Sequence, residues 1–257
     1  MAEGDTILRL ARRLDEALAG EAVAVRAPGP RRPTGLPIAE IDGHRLERVE
    51  SRGKHLLFRF DGAVLHSHLG MRGSWDLHRL GERWRRPAFQ AWLALAADGV
   101  EAVNFGGSMM RIATEAQLLR DPRLARLGPD LLADGFDYES AVARLRSRGP
   151  ELKLGEALLG QRLVAGIGNI FRSEGCFEAR LDPNDPIGVL TDDQVVRVLE
   201  ATRGLMLEAA ETGRQPHRVY RQAGRPCPRC GSPIQSRAQG DSARVSYWCP
   251  RCQPASG

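Results

Sequence analysis

The chain has 257 residues, 42% hydrophobic and 27% charged, with a net charge of +5, ordinary globular proportions for one large or two modest domains. Its apolar runs, such as Ala91–Ala97, fall far short of the ~20 residues that span a bilayer, and the acidic opening Met1-Ala2-Glu3-Gly4-Asp5-Thr6 lacks the layout of a secretory signal. Membrane, collagen-like and disordered classes are thereby excluded, and a cytoplasmic protein is expected.

The first element expected is a helix. Asp5-Thr6 can cap it, Ile7, Leu10, Ala11, Leu14 and Leu18 share one face, and Gly20 ends it. After the Pro/Gly-rich loop Ala27–Pro37 the period changes to short alternating runs. Lys54–Phe60, Ala63–Leu69, Phe89–Ala97 and Val100–Phe105, broken by Asp-Gly, Gly and Pro, predict strands of a mostly antiparallel domain reaching to about residue 115. His66 and His68 lie two apart on one of these strands, a spacing open to metal binding but more often that of core or hydrogen-bonded histidines. From Gln117 onward helical spacing takes over, with helices expected over Tyr138–Arg146, Lys153–Leu159, Asn169–Glu178 and Thr191–Glu211. Gly166-Ile167-Gly168-Asn169 precedes the third of these. Its glycines either free the backbone to approach a phosphate at a helix N-terminus or simply make a tight turn.

The positive charge is not spread evenly. From Arg203 onward there are nine arginines and no lysine against three acids, a local excess that suits phosphate contacts or, more blandly, a solvated arginine face. Only Lys54 and Lys153 stand among 37 basic residues. Lys54, within Arg52-Gly53-Lys54-His55, is notable because an amine, unlike a guanidinium, can lose its proton. Four of the five cysteines form Cys227-Pro-Arg-Cys230 and Cys249-Pro-Arg-Cys252. The two pairs are separated by eighteen residues, the spacing of a four-cysteine zinc site closed by a hairpin. Four protein ligands complete a tetrahedron, so one structural Zn2+ per chain is expected to fold the tail. Cys176 is left over as an ordinary buried thiol.

These blocks together resemble the formamidopyrimidine-DNA glycosylase/endonuclease VIII family of base-excision DNA repair enzymes. The resemblance is carried by Met1-Ala2-Glu3-Gly4-Asp5-Thr6, Ser51-Arg52-Gly53-Lys54-His55, His68-Leu69-Gly70-Met71-Arg72-Gly73-Ser74, Leu127-Gly128-Pro129-Asp130-Leu131-Leu132, Leu158-Leu159-Gly160-Gln161, Ala165-Gly166-Ile167-Gly168-Asn169 and Arg244 through Gln253. The opening and the Tyr247-Trp248-Cys249-Pro250 tail are similar to the endonuclease VIII branch, particularly its actinobacterial type. The resemblance implies an α+β fold: an N-terminal helix plus antiparallel β-sandwich catalytic domain (1–115), a linker (116–135), a helix–two-turn–helix domain (136–220) and a zinc finger (221–257). It also implies a DNA glycosylase with AP lyase activity, a damaged-DNA partner and a monomer.

In this family the α-amine of residue 2, exposed by removal of Met1, attacks C1′ of the damaged nucleotide, the base leaves, and elimination from the Schiff base cuts the strand. The resemblance therefore makes Ala2 the nucleophile and Glu3 the acid/base carboxylate beside it. Lys54 becomes the lysine that pairs with the phosphate near the lesion and assists base loss. Asn169 holds the same phosphate region, and Arg244 grips the backbone and assists elimination. Arg126 is a further DNA contact, and Met71 fills the gap left by the flipped-out base. Cys227, Cys230, Cys249 and Cys252 bind the zinc. Each residue also has a bland alternative: Glu3 as support for the first helical turn, Lys54 as a strand-end charge, Asn169 as a helix cap, Arg244 as a solvated arginine and Met71 as sheet packing.

Three positions depart from the family pattern. Ala2 stands where proline is usual, which leaves a weakly catalytic or inactive DNA-damage-binding protein as the alternative reading. Thr6 stands where well-known members carry glutamate. An Arg-Arg-Phe loop is absent, with Asn104-Phe105-Gly106-Gly107-Ser108-Met109-Met110 near its place. Oxidised pyrimidines or abasic sites are therefore expected rather than 8-oxoguanine opposite cytosine.

Overall fold

The computed structural model describes residues 2–30, 33–240 and 243–256. The expected removal of Met1 concerns a residue outside this set. Two compact units are present, one of residues 1–2 and 6–125, the other of residues 3–5 and 126–257.

The first unit holds helix α1 (Gly4–Leu18, whose first two residues fall in the other unit) and two antiparallel sheets. One sheet has the order β1 (Ala24–Arg26), β6 (Leu93–Ala97), β7 (Val100–Asn104), β5 (Trp75–Arg79). The other runs β2 (Leu46–Arg52), β3 (His55–Phe60), β4 (Ala63–His68), β8 (Met109–Ala113). Strand alternation sends Leu56, Phe58, Phe60 and Leu65 from the second sheet, and Leu93, Leu95 and Trp75 from the first, into a shared core with Ile7, Ala11, Leu14 and Leu18 of α1. The α1 face is as the sequence predicts. Its start is not: the helix begins at Gly4, so Asp5 and Thr6 lie inside the first turn rather than capping it. The Asp5 carboxylate instead accepts from Gln215 Nε2 at 2.9 Å.

Both sheets are also covered on their outer faces. On the first, Trp84 from the β5–β6 connection packs on Ala91, Ala94, Val103 and Phe105. It donates from Nε1 to buried Glu101 at 2.8 Å, so a polar strand residue is satisfied from outside the core. On the second, alternation places His55, Leu57, Val64 and His66 opposite the core face. The short helices α2 (Glu115–Leu119) and α3 (Pro122–Ala125) supply the neighbouring buried Leu118 and Leu124, and the link between them supplies buried Asp121.

In the second unit the expected helices appear as α4 (Tyr138–Arg146), α5 (Leu154–Leu159), α6 (Asn169–Ala179) and α7 (Asp192–Thr212). Thr191 caps α7 through a reciprocal box with Gln194, and Gly213 ends it at φ +73°. The hairpin of β9 (Gln235–Gln239) and β10 (Arg244–Trp248) follows. Among the described residues, no helix is long and apolar enough to cross a membrane.

Candidate active site

The second unit gathers three of the sequence-predicted residues around the start of α6. Glu3 is fully buried, and its carboxylate accepts the N–H groups of Ile170 at 2.9 Å and Phe171 at 3.3 Å. A helix N-terminus is an anion site by virtue of its unpaired N–H groups and dipole, and the anion here is the chain's own carboxylate. The glycines of Gly166-Ile167-Gly168 serve this approach. A Cβ on Gly168 would stand only 2.1 Å from Glu3 Cδ, and Gly166, at φ +99°, accepts from the Gly4 N–H at 2.9 Å. Of the two readings of these glycines, a phosphate cradle or a tight turn, neither names what is observed: the space they leave is filled by residues 3 and 4. Glu3 likewise supports the first turn of α6, not of α1.

Asn169, the first residue of α6, does not cap the helix, a position taken by Gly168 without a side-chain bond. Its Nδ2 donates to the Val245 carbonyl at 3.1 Å, which ties α6 to the hairpin strand whose first residue is the exposed Arg244. Arg172, one helical turn on and fully buried, completes the junction. It donates to Asn169 Oδ1, to the Val245 carbonyl at 2.7 Å and to Gln239 Oε1 at 3.2 Å. Burial draws the Arg172 guanidinium down to about 10, which leaves it charged at neutral pH. Gln239 in turn donates to the Pro183 carbonyl at 3.0 Å and Asn184 Oδ1 at 2.9 Å. Sequence reasoning missed Arg172 and Gln239. No local pattern marks them, because each acts across more than fifty residues of chain.

Past the hairpin the four cysteine Sγ atoms lie within 4.8 Å of one another, with Cys227–Cys252 at 3.9 Å and Cys230–Cys249 at 3.5 Å. Zn–S bonds of about 2.3 Å require tetrahedral S···S separations of about 3.8 Å. The set fits one structural zinc, and with four protein ligands no position is left for substrate. Among the described residues no other group of His, Cys, Asp and Glu has this form. Cys176 is fully buried and its thiol is pushed up to about 12, which makes it inert.

The first unit carries Ala2, Lys54 and Met71. Ala2 is half-buried against the sandwich core. Lys54 and Gly53 form the turn between β2 and β3, with Gly53 at φ +59°. Met71 is 71% exposed on the turn after β4. His66 and His68 are hydrogen-bonded, as the commoner alternative has it. His66 Nε2 meets His55 Nδ1 at 2.8 Å, and His68 Nδ1 meets Ser108 Oγ at 2.6 Å. Arg126 is exposed just before Leu127, in the second unit.

Three family models cover most of the chain: formamidopyrimidine-DNA glycosylase N-terminal domain over residues 1–106, formamidopyrimidine-DNA glycosylase H2TH domain over 127–220, and the zinc finger found in FPG and IleRS over 224–255. A probable endonuclease 8 of Streptomyces coelicolor is 40% identical, covering 98% of this chain and 94% of its own. The chain belongs to the formamidopyrimidine-DNA glycosylase/endonuclease VIII family. A DNA-(apurinic or apyrimidinic site) lyase of Mycolicibacterium smegmatis is 35% identical over 100% of both chains. Among solved structures, MutM (Fpg) of Thermus thermophilus superposes with a TM-score of 0.81 at 31% identity, covering 99% of each chain. The fold expected of this family, a helix with antiparallel sheets, an H2TH domain and a four-cysteine finger, is the fold observed.

Proposed function

We propose that this member of the formamidopyrimidine-DNA glycosylase/endonuclease VIII family is a DNA repair glycosylase with AP lyase activity that works through the α-amine of Ala2. The observation that carries this is Glu3, a fully buried carboxylate fixed on the α6 N-terminus and covalently next to that amine. An α-amine titrates near 7.7–8, so a useful fraction is neutral and nucleophilic close to pH 7. Its nitrogen bonds to C1′ as the glycosidic bond breaks, and Glu3 moves protons between the amine and the opening sugar. Elimination from the resulting Schiff base then cuts the strand. Alanine is a primary amine, so its adduct is an imine that acts as an electron sink only when protonated, and base excision outlasts strand cleavage in efficiency.

Lys54 pairs with the phosphate beside the lesion, and Met71 occupies the space of the extruded base. Asn169 orients the hairpin that carries Arg244 and meets the same phosphate region, Arg244 grips the backbone, and Arg126 adds a further DNA contact. The parts are a catalytic β-sandwich (1–115), a linker (116–135), an H2TH domain (136–220) and a zinc finger (221–257), acting as a monomer on DNA in the cytoplasm. Without an Arg-Arg-Phe loop, oxidised pyrimidines and abasic sites are the preferred substrates.

Borohydride trapping on duplex DNA with one abasic site, with mass spectrometry of the intact N-terminus and of the adduct, tests this. An adduct on the peptide that begins at Ala2 is expected, together with faster excision of thymine glycol than of 8-oxoguanine opposite cytosine. An adduct on any other peptide removes Ala2 from the mechanism. Tight binding with no adduct, on a chain shown to lack Met1, makes the protein a damage binder.

A further inference from the structure

Three histidine rings, none required by the chemistry above, form a tilted stack in the first unit between the Lys54 turn and the Met71 turn, with His55 inclined 49° to His66 and 59° to His68. His55, next in the chain after Lys54, is 8% exposed and His66 is fully buried. The His55 ring centroid lies 4.9 Å from that of His66 and 4.6 Å from that of His68. We propose, resting on the function above, that His55, His66 and His68 are a positioning unit that fixes the Lys54 turn and the Met71 turn relative to each other for the step at the lesion.

The hydrogen bonds give the stack a direction. Arg111 Nε can only donate, and its long contact of 3.5 Å with His66 Nδ1 makes that nitrogen the acceptor. The proton of His66 then sits on Nε2 and is donated to His55 Nδ1 at 2.8 Å. Below them Asp121 pairs with Arg111, and its Oδ2 lies 3.8 Å from His66 Nδ1. At the other end His68 Nδ1 accepts the Gly70 N–H at 3.1 Å, inside the turn that presents Met71. The His68 carbonyl accepts the Ser108 N–H at 2.9 Å from the β7–β8 connection. Each ring is thus held in orientation as well as in place, which a phenylalanine in the same space would not be.

Burial pulls His55 and His66 down to about 3 and lowers His68, with the nearby charge of Lys54 contributing to the latter. The stack is therefore neutral at pH 7 and adds no competing cation beside Lys54. A lysine on a four-carbon stem needs such a fixed base to act at one phosphate oxygen rather than as a diffuse charge.

The composition supplies the assay. Because the chain has only two lysines, Lys54 and Lys153, reductive methylation with 13C-formaldehyde gives two side-chain NMR signals, with Lys153 as the internal control. In the wild type the Lys54 signal should stand away from the position of free dimethyl-lysine. In His55→Phe it should move to that position while Lys153 stays. A Lys54 signal unchanged by His55→Phe overturns the proposal, whether or not the protein proves to be an enzyme.

Single-turnover trapping on abasic DNA is the second arm. His55→Phe should slow it about tenfold with DNA affinity held within about twofold, and should cost nothing further in a Lys54→Ala background. Losses that multiply in the double variant also overturn the proposal. His55→Gln, which keeps an acceptor for the His66 Nε2 proton, should recover most of the rate, and His55→Leu, which keeps no acceptor, replaces His55→Phe in both arms if the latter does not fold. A wild-type chain that traps no abasic DNA refutes the proposed function, and the NMR arm then decides the positioning unit by itself.

Discussion

Gly168→Ala isolates the seat of Glu3. Gly168 has φ −119° and ψ −167°, extended backbone that alanine adopts without strain. The whole effect must therefore come from the added Cβ, whose three nearest neighbours all belong to Glu3, at 2.1, 2.4 and 2.5 Å. No relaxation of a few tenths of an ångström relieves contacts that short, so the carboxylate must leave the α6 N-terminus. Two hydrogen bonds to a charged acceptor are then lost and two helix N–H groups are stranded. Bonds of this kind contribute about 1.5–3 kcal/mol each, and measured N-cap losses run about 0.5–2 kcal/mol, so a destabilisation of about 2–4 kcal/mol is expected. That corresponds to a fall in Tm of about 5–15 °C by circular dichroism. In a Glu3→Ala background the obstructing atoms are gone, and the same substitution should cost less than about 1 kcal/mol. A Gly168→Ala chain that melts within about 2 °C of wild type, or a cost that persists without the Glu3 side chain, would refute the steric argument.

The histidine stack should make stability depend on pH. His55 and His66 titrate near 3 when folded and near 6.5 when unfolded, so the unfolded chain binds more protons as pH falls below 6.5. The groups facing them are His68, Arg111, Arg123, Asp121 and, through His68, Lys54. Stability present above pH 6.5 is lost progressively below it, and the two together should cost about 2–3 kcal/mol at pH 5.5 relative to pH 7.5. Urea midpoints that do not move between those pH values would show that the rings are protonated in the folded chain. Removal of zinc by a chelator, or Cys227→Ser, should release the buried Trp248 and red-shift its fluorescence while leaving the helical ellipticity of α4–α7 largely intact. Unaltered emission from a chain shown by atomic absorption to lack zinc would mean that the finger folds without its metal.

Legibility in the sequence followed period and distance. α4 and α7 were readable because their apolar residues repeat at helical spacing over two turns or more. β3, β4 and β7 were readable because each is a short run, largely buried on both faces, closed by tight turns. β2 was not: only Leu46 and Val49 of Leu46–Arg52 are buried, and a bulge between Leu46 and Arg48 shifts their register. β1, β5 and β8 are three to five residues long and carry charged side chains. The strand expected from Phe89 starts only at Leu93, because Ala88–Gln90 forms a 3-10 turn. At the candidate site, the cysteine spacing fixed the metal ligands by itself, and the family resemblance marked Glu3, Lys54, Asn169 and Arg244. Neither could disclose that Glu3 lies on Ile170, or that Arg172 joins α6 to the hairpin, since those contacts are long-range and leave no periodic trace.

The pairing of residue 3 with residue 170 also sets a clock on biosynthesis. For Ala2 to offer an amine, Met1 must be cleaved, and a processing enzyme needs the first residues extended in its own cleft. Once Glu3 is buried and Gly4 is bonded to Gly166, the chain from residue 3 onward is no longer extended. The seat on α6 does not exist until translation has passed residue 171, roughly 9–34 s after the start at 5–20 residues per second. The seat of residue 3 is thus completed only after two-thirds of the chain has been made, so the first residues of the protein are among the last to find their folded place.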